Sequence, residues 1–233
     1  MKIILLAGGL GTRISEETED KPKPMVLLDD KPIIWHLMNI FASQGYKEFI
    51  IATGYKGEVI RDWASDLKTD WQIDAIDTGQ DTQTGGRIGL CMDQVPGERV
   101  MATYGDGLGN INVSSLLDFH SHHGKLGTLT AVRPPARFGV LESSNGLVTH
   151  FGEKNQADAG WINGGFFVLE PKVRELIHSE SEPFESGAIP RLVQKRNLMA
   201  FYHDGFWQPM DTLREKQDLA KLAETLTPPW LQI

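Results

Sequence analysis

Two kinds of hydrophobic run alternate along the chain. Residues 3–7, 49–53, 100–104, 126–133 and 166–169 are short apolar stretches of strand length. Between them apolar positions recur at helical spacing. Over 31–44, Ile33, Leu37 and Phe41 share a face with Ile34 and Met38, Pro32 suits the first turn, and Gly45 closes the element. Over 58–67 the face is Val59, Ile60, Trp63 and Leu67. A helix is predicted over 113–123 with Asn112 as N-cap and Gly124 as stop, and another opening at Pro171 and reaching His178. Thr212 and Glu215 form the capping-box pattern of a last helix running to about Leu226. Segments 140–142 and 147–151 flank Asn145-Gly146, a hairpin turn signal. Strands alternating with helices predict an α/β fold.

No repeat, linker or low-complexity tract divides the 233 residues, so a single domain over 1–233 is expected. A net charge of -8 and no basic run longer than two argue against nucleic acid or an anionic membrane as the partner. The single cysteine, Cys91, cannot form an internal disulfide, which favours a reducing compartment. The apolar run at 3–7 is too short for a secretion signal, and Arg13 and four acids follow it. No stretch approaches the ~20 apolar residues of a membrane span. A cytoplasmic protein is expected.

The first strand feeds Gly8-Gly9-Leu10-Gly11-Thr12-Arg13, and Lys21-Pro22-Lys23-Pro24-Met25 follows. Glycines let main-chain N–H groups approach a phosphate chain, and the cations match its charge. The P-loop pattern is absent, and the dinucleotide fingerprint is half present, with Ile14 where its third glycine belongs. Asp106 ends an apolar strand between two glycines, and Asp211 directly precedes the Thr212 cap. Either acid alone is explained by a turn or a helix N-terminus; beside a phosphate loop both become candidate ligands for Mg²⁺, which takes one or two carboxylates and completes its shell with water and phosphate. Gly139 offers bare backbone to a sugar ring. Glu153 and Lys154 pair a hydroxyl acceptor with a cation for a phosphate, and Asn163 with Gly164 and Gly165 offers an amide beside open backbone.

The motifs LAGGLGTR (6–13), KPKPM (21–25), GYKG (54–57), DTG and TGGR (77–79, 84–87), YGDG (104–107), RFG (137–139), INGGFFVL (162–169) and FWQPMDT (206–212) stand in order across nearly the whole chain. Together they resemble the sugar-1-phosphate nucleotidylyltransferases, and within them the glucose-1-phosphate cytidylyltransferase family. The resemblance implies a Rossmann-like nucleotidyltransferase fold, with a mixed, mainly parallel central sheet flanked by helices and a small β-hairpin sugar-binding subregion. It implies a nucleotide half at about 1–110 and a sugar-phosphate half at about 111–233. It implies CTP and α-D-glucose 1-phosphate as substrates, CDP-glucose and pyrophosphate as products, Mg²⁺ as cofactor and a homo-oligomer as the assembly.

Carried over by position, Gly8, Gly9, Gly11, Thr12 and Arg13 would hold the triphosphate, with Leu6 and Ala7 also binding nucleotide. Lys23 would lie between the two phosphate groups, and Thr84, Gly85, Gly86 and Arg87 would face base and ribose. Asp106 and Asp211 would bind the metal, and Gly139, Glu153, Lys154, Asn163 and Gly164 the sugar phosphate. Lys23, Arg13 and Asp106 would carry catalysis. The segment between Leu67 and Asp77 is shorter than the family's; Asn155 replaces the proline of its Glu-Lys-Pro, and Glu142 replaces its aspartate. The shortened segment bears on the oligomer contacts and the nucleotide lid; the two replacements leave a different sugar 1-phosphate open. A glycosyltransferase would want an Asp-x-Asp metal motif, which residues 105–108 lack, and a non-catalytic sugar-nucleotide sensor would not need Lys23 and both aspartates.

Overall fold

Ile3 and Leu5 pack into one hydrophobic cluster, Ile4 and Leu6 into another, and all four are buried. Successive strand side chains point to opposite faces, so an unbroken apolar run belongs to a strand covered on both sides. The computed structural model describes residues 1–9, 11–135, 139–144, 146–153 and 160–233. From this first strand, β1 (Ile3–Leu6), the chain passes through α1 (Ser15–Thr18), β2 (Leu27–Leu28), β3 (Lys31–Pro32), α2 (Ile33–Ala42), β4 (Glu48–Thr53), α3 (Gly57–Asp66) and β5 (Gln72–Asp77). It continues through α4 (Thr84–Met92), β6 (Val100–Tyr104), β7 (Gly107–Gly109), α5 (Val113–His123), β8 (Gly127–Val132), β9 (Gly139–Ser144) and β10 (Leu147–Glu153). The last elements are β11 (Ile162–Leu169), α6 (Ala188–Gln194), β12 (Leu198–His203), β13 (Trp207–Pro209) and α7 (Leu213–Ala223).

The main sheet has seven strands in the order β12-β8-β11-β6-β1-β4-β5. Every strand but β11 runs the same way, since only the pairings of β11 with β6 and β8 are antiparallel. One face is covered by α2, α5 and α7 through Leu37, Phe41, Leu116 and Leu219; the other by α4 and α6 through Ile88, Cys91 and Leu192. This is the mixed, mainly parallel α/β sheet expected. The chain runs from β1 outward to β4 and β5, then returns to β6 on the other side of β1. Open α/β sheets bind ligands at such a reversal, outside the carboxyl ends of the strands.

The capping signals at 112–124 and 212–215 act as read, whereas Pro32 lies in β3 and precedes α2 as its extended N-cap rather than sitting in its first turn. Asn112 accepts from the Ser115 N–H, Gly124 turns at φ 62, and Thr212 and Glu215 complete a reciprocal capping box. Segment 171–178 tightens into a 3₁₀ helix over Pro171–Leu176. The hairpin forms between β9 and β10, with Gly139 opposite Glu153 at its open end. Cys91 is buried, and burial, opposed by the nearby Arg87, pushes its thiol up to about 12, so it is a core residue and not a nucleophile. The periodicity reading misses α4, whose Thr-Gly-Gly-Arg start and third glycine, Gly89, are poor helix formers. It also misses the edge strands β5 and β12, which are only half-covered and carry weak patterns.

Candidate active site

The turn after β1 sits against the turn after β6. A Cβ on Gly105 would lie 2.5 Å from the Leu6 carbonyl oxygen, so the backbone reaches Asp106 only by passing close to β1. Gly11 turns at φ 65, a left-handed conformation suited to glycine, and leads into a 3₁₀ turn at Thr12–Ile14. Thr18 donates to the Gly11 and Ile14 carbonyls, both at 3.2 Å, and fixes the far end of this loop. The proline-flanked Lys23 starts a second 3₁₀ turn, Lys23–Met25, closed by Met25 N–H donating to the Pro22 carbonyl at 2.8 Å.

Lys23 projects from that turn to two carboxylates. Its Nζ donates to Asp106 Oδ2 at 2.6 Å and to Asp211 Oδ1 at 2.9 Å. Burial works against the ammonium, but the two carboxylates outweigh it and hold its pKa above the ordinary lysine value. A short ribbon zips the two acids together: β7 pairs antiparallel with β13, Pro209 opposite Gly107, and Met210 N–H donates to the Asp106 carbonyl at 2.8 Å. Glu215 Oε2 then accepts from the Asp211 and Thr212 N–H groups at 2.8 and 3.0 Å. The cap that starts α7 therefore also fixes the backbone of Asp211.

Two carboxylates from separate loops thus converge on one cation position. Their hard oxygens fit Mg²⁺. Among the described residues no group of three or more His, Cys, Asp or Glu could hold a metal, so a shell built on this pair needs ligand oxygens to be completed.

These groups line a cleft of about 1110 Å³. Of the residues marked from sequence, Leu6, Gly8, Gly9, Gly11, Thr12, Lys23, Thr84, Arg87, Asp106, Asn163 and Asp211 face it. Ala7 does not: it is buried in the core, and its N–H donates to the Ala52 carbonyl at 2.9 Å. Gly85 and Gly86 need correcting as base-facing residues. They pack under the 180–184 segment, where added Cβ atoms would lie 2.5 Å from the Glu182 carbonyl oxygen and 2.3 Å from that of Glu180. The Gly85 N–H is used as well, donating to the Glu182 carbonyl at 3.0 Å. Gly164 abuts Val132 and accepts from the Trp207 indole at 2.9 Å. Backbone alone is described for Arg13, Gly139 and Glu153, and Lys154 lies outside the described residues.

Arg87 is turned inward and only 4% exposed. Its Nη1 donates to the Thr53 and Gly79 carbonyls, both at 2.9 Å, and to the Thr78 hydroxyl at 2.5 Å. Its Nη2 donates to the Gly8 and Gln80 carbonyls at 3.0 and 3.2 Å. A Cβ on Gly8 would sit 2.1 Å from Nη1, so the glycine there makes room for the guanidinium. One arginine therefore ties the phosphate-type loop at Gly8 to the wall formed by 78–80. Sequence reasoning also missed the other wall residues, Gln80 to Gln83, Pro134, Pro135, Tyr104 and Trp207. Tyr104 and Trp207 stood inside recognised motifs, and that adjacency was the available signal.

The comparisons with known proteins agree with this geometry. The Nucleotidyl transferase family model matches residues 2–218. The chain is 44% identical to a glucose-1-phosphate cytidylyltransferase of Salmonella typhi, covering 99% of this chain and 98% of that protein. It is 37% identical to a probable glucose-1-phosphate cytidylyltransferase of Bacillus subtilis, over 95% and 96% of the two chains. In architecture it is similar to HddC from Yersinia pseudotuberculosis complexed with GMP-PN, with a TM-score of 0.75 at 24% identity, over 94% of this chain and 98% of that one.

Proposed function

The chain belongs to the Nucleotidyl transferase family, and on that premise we propose that it joins CTP and α-D-glucose 1-phosphate into CDP-glucose and pyrophosphate. The observation that carries the reading is the convergence of Lys23, Asp106 and Asp211 beside the glycine turn of β1. The family-level match to cytidylyltransferases over almost the whole chain supplies the choice of substrates.

An oxygen of the sugar phosphate attacks the α-phosphorus of CTP, and the bond to the β-phosphate oxygen breaks, releasing pyrophosphate. No general base is needed. A phosphate monoester has a second pKa near ~6, so the attacking group is already largely a dianion at neutral pH. The obstacle is charge, and catalysis rests on in-line positioning and on cations. Mg²⁺, when bound, would be held by Asp106 and Asp211 and would neutralise phosphate charge. Lys23, freed from those carboxylates, meets the α-phosphate and the sugar phosphate; Arg13 meets the leaving pyrophosphate. The glycine turn supplies N–H donors to the triphosphate, and Gly139, Glu153, Lys154 and Asn163 hold the sugar phosphate. The nucleotide half is then about 1–110 and the sugar half about 111–233.

No helix among the described residues is long and apolar enough to cross a membrane. The reading places the enzyme in the cytoplasm as a homo-oligomer. It is tested by a matrix of the four NTPs plus dTTP against several sugar 1-phosphates, scored by pyrophosphate release. CTP with glucose 1-phosphate is expected to turn over fastest. Equal turnover with UTP or dTTP removes the cytidylyl assignment, and a faster partner sugar removes glucose.

A further inference from the structure

Glu185 lies in the turn between the 3₁₀ helix and α6, a segment that no motif marks, yet its carboxylate reaches the cleft wall from behind. Oε1 accepts from the Tyr104 hydroxyl, and Oε2 accepts from the Thr84 hydroxyl at 2.7 Å. Thr84 Oγ1 in turn accepts from the Phe184 N–H at 2.8 Å. Asn163 Nδ2 donates to the Tyr104 oxygen at 3.0 Å, and the Gly165 N–H donates to Asn163 Oδ1 at 2.9 Å.

The direction of every bond in this chain is forced. A main-chain N–H can only donate, so the Asn163 atom facing Gly165 is its oxygen, and the amide nitrogen faces Tyr104. The Tyr104 oxygen receives that N–H, so its single proton goes to Glu185. Burial, reinforced by Glu185, pushes the phenol pKa up, and the proton stays in place at any working pH. The Asn163 amide is thereby fixed against a flip, and it lines the cleft.

The supports of this chain are rigid. A Cβ on Gly165 would lie 2.3 Å from the Tyr104 ring, and Phe167 meets that ring edge-on at 5.8 Å. Phe184 is fully buried and packs on Phe167 at 5.4 Å. Arg191 grips Glu182 at 2.6 and 2.7 Å and so fixes the start of the turn that carries Glu185.

We propose that Glu185 is a positioning residue that, through the Tyr104 hydroxyl, orients the Asn163 amide toward the sugar phosphate and ties that side of the cleft to the first turn of α4. The assignment rests on the proposed reaction, because it takes Asn163 as a sugar-phosphate contact. Asn163 is aimed by Glu185 and Tyr104 acting through hydrogen bonds.

Steady-state kinetics of Tyr104→Phe, Glu185→Ala and Glu185→Gln test it, with KM measured separately for the two substrates and the melting temperature as control. Loss of one hydrogen bond to a charged group corresponds to roughly tenfold in affinity. Tyr104→Phe is expected to raise KM for glucose 1-phosphate by about that factor with KM for CTP within about twofold, and Glu185→Ala, which also releases Thr84, to raise KM for glucose 1-phosphate as much. Glu185→Gln keeps an acceptor for one hydroxyl and is expected to fall between them and the wild type. Equal rises in both KM values in Tyr104→Phe, or a change confined to melting temperature, overturn the assignment. Wild-type protein that releases no pyrophosphate from CTP and glucose 1-phosphate overturns the reaction and this assignment with it. Wild-type turnover with an unmoved sugar-phosphate KM in the variants overturns this assignment alone.

Discussion

The Lys23 ammonium stands 2.6 Å from the Asp106 carboxylate, on the side where Asp211 also closes to 2.9 Å. With its side chain only 12% exposed, Lys23 acts as the internal counterion of the acid pair. The same lysine is the cation proposed to meet the phosphates, so it has two sets of partners. In the proposed reaction it would exchange those carboxylates for phosphate oxygens.

Lys23→Met keeps most of the stem and removes the charge. Electrostatic donors act mainly in the transition state of phosphoryl transfer, so turnover should fall by about 100-fold or more, with less effect on KM for the sugar phosphate. The ligand-free variant should bind divalent metal more tightly than wild type, because the two carboxylates lose their internal cation. Titration with Mn²⁺, followed by its electron paramagnetic resonance signal, measures this without catalysis. Wild-type turnover and unchanged Mn²⁺ affinity in the variant would make Lys23 a packing residue.

Asp106→Asn and Asp211→Asn each remove one charge at nearly constant volume. Each should lower turnover by about 100-fold. The ion pairs they lose are part-exposed and worth about 1 kcal/mol or less, a shift of only a few degrees in melting temperature. A thermal melt beside a pyrophosphate assay separates the outcomes, and a large stability loss with turnover intact would make the acids structural.

Arg87→Met leaves the carbonyls of Gly8, Thr53, Gly79 and Gln80 without the guanidinium that they share. The Thr53 carbonyl keeps the Thr78 N–H and hydroxyl and the Gly8 carbonyl keeps the Tyr55 N–H, so the loss falls mainly on the part-buried Gly79 and Gln80 carbonyls. At about 1–3 kcal/mol for an acceptor left unsatisfied, a total of about 2–3 kcal/mol is expected. Chemical denaturation should show that loss. KM for CTP should rise in parallel, since the loops that move are those lining the nucleotide side. A lysine at this position reaches with one point charge and should restore little. Full stability in Arg87→Met would refute the clamp.

Much of this site was legible because its signals are local. Gly8 and Gly11 announce close backbone approach, the prolines around Lys23 announce a fixed turn, and the Thr212–Glu215 cap announces a rigid base for Asp211. What was not legible depends on packing between distant segments. Gly85 and Gly86 look like a ligand loop until the 180–184 segment is laid over them, which also turns a glycine-rich stretch into helix α4. The clamp made by Arg87, which lines the cleft, shows only once four carbonyls from separate segments surround it. Glu185 carries no local signal, since its partners Tyr104 and Thr84 come from other elements.

The remaining prediction concerns pH and lies at the far end of the sheet. The Lys125 N–H donates to His123 Nδ1 at 2.9 Å, so the His123 proton is on Nε2, which donates to Thr128 Oγ1 at 2.8 Å. The Thr128 proton then goes to His120 Nδ1 at 2.7 Å, and His120 Nε2–H donates to Glu170 Oε1 at 3.1 Å. Both rings are neutral in this relay, and a proton added at His123 Nδ1 would face the Lys125 N–H. Burial lowers the pKa of both histidines; for His123 the neighbouring His120 and Lys125 add to it, and for His120 the Glu170 carboxylate opposes it. His36 and His203 are lowered by burial as well. The unfolded chain therefore takes up protons at about 6.5 while the folded one does not, and stability must rise with pH wherever the unfolded state binds more protons. The histidine contribution is fully present above about pH 6.5 and is lost as the pH falls toward the folded values. Glu170 and Glu182 do not confuse this window, because hydrogen bonds from Arg99 and His120 to the first, against its burial, and from Arg191 to the second hold them below the ordinary carboxylate value. Denaturant midpoints should therefore fall between about pH 6.5 and 5 in the wild type, and fall less steeply in His123→Gln, which keeps a donor and an acceptor but cannot titrate. A wild-type midpoint that is flat or rises on acidification over that range would mean that these histidines are charged in the folded protein.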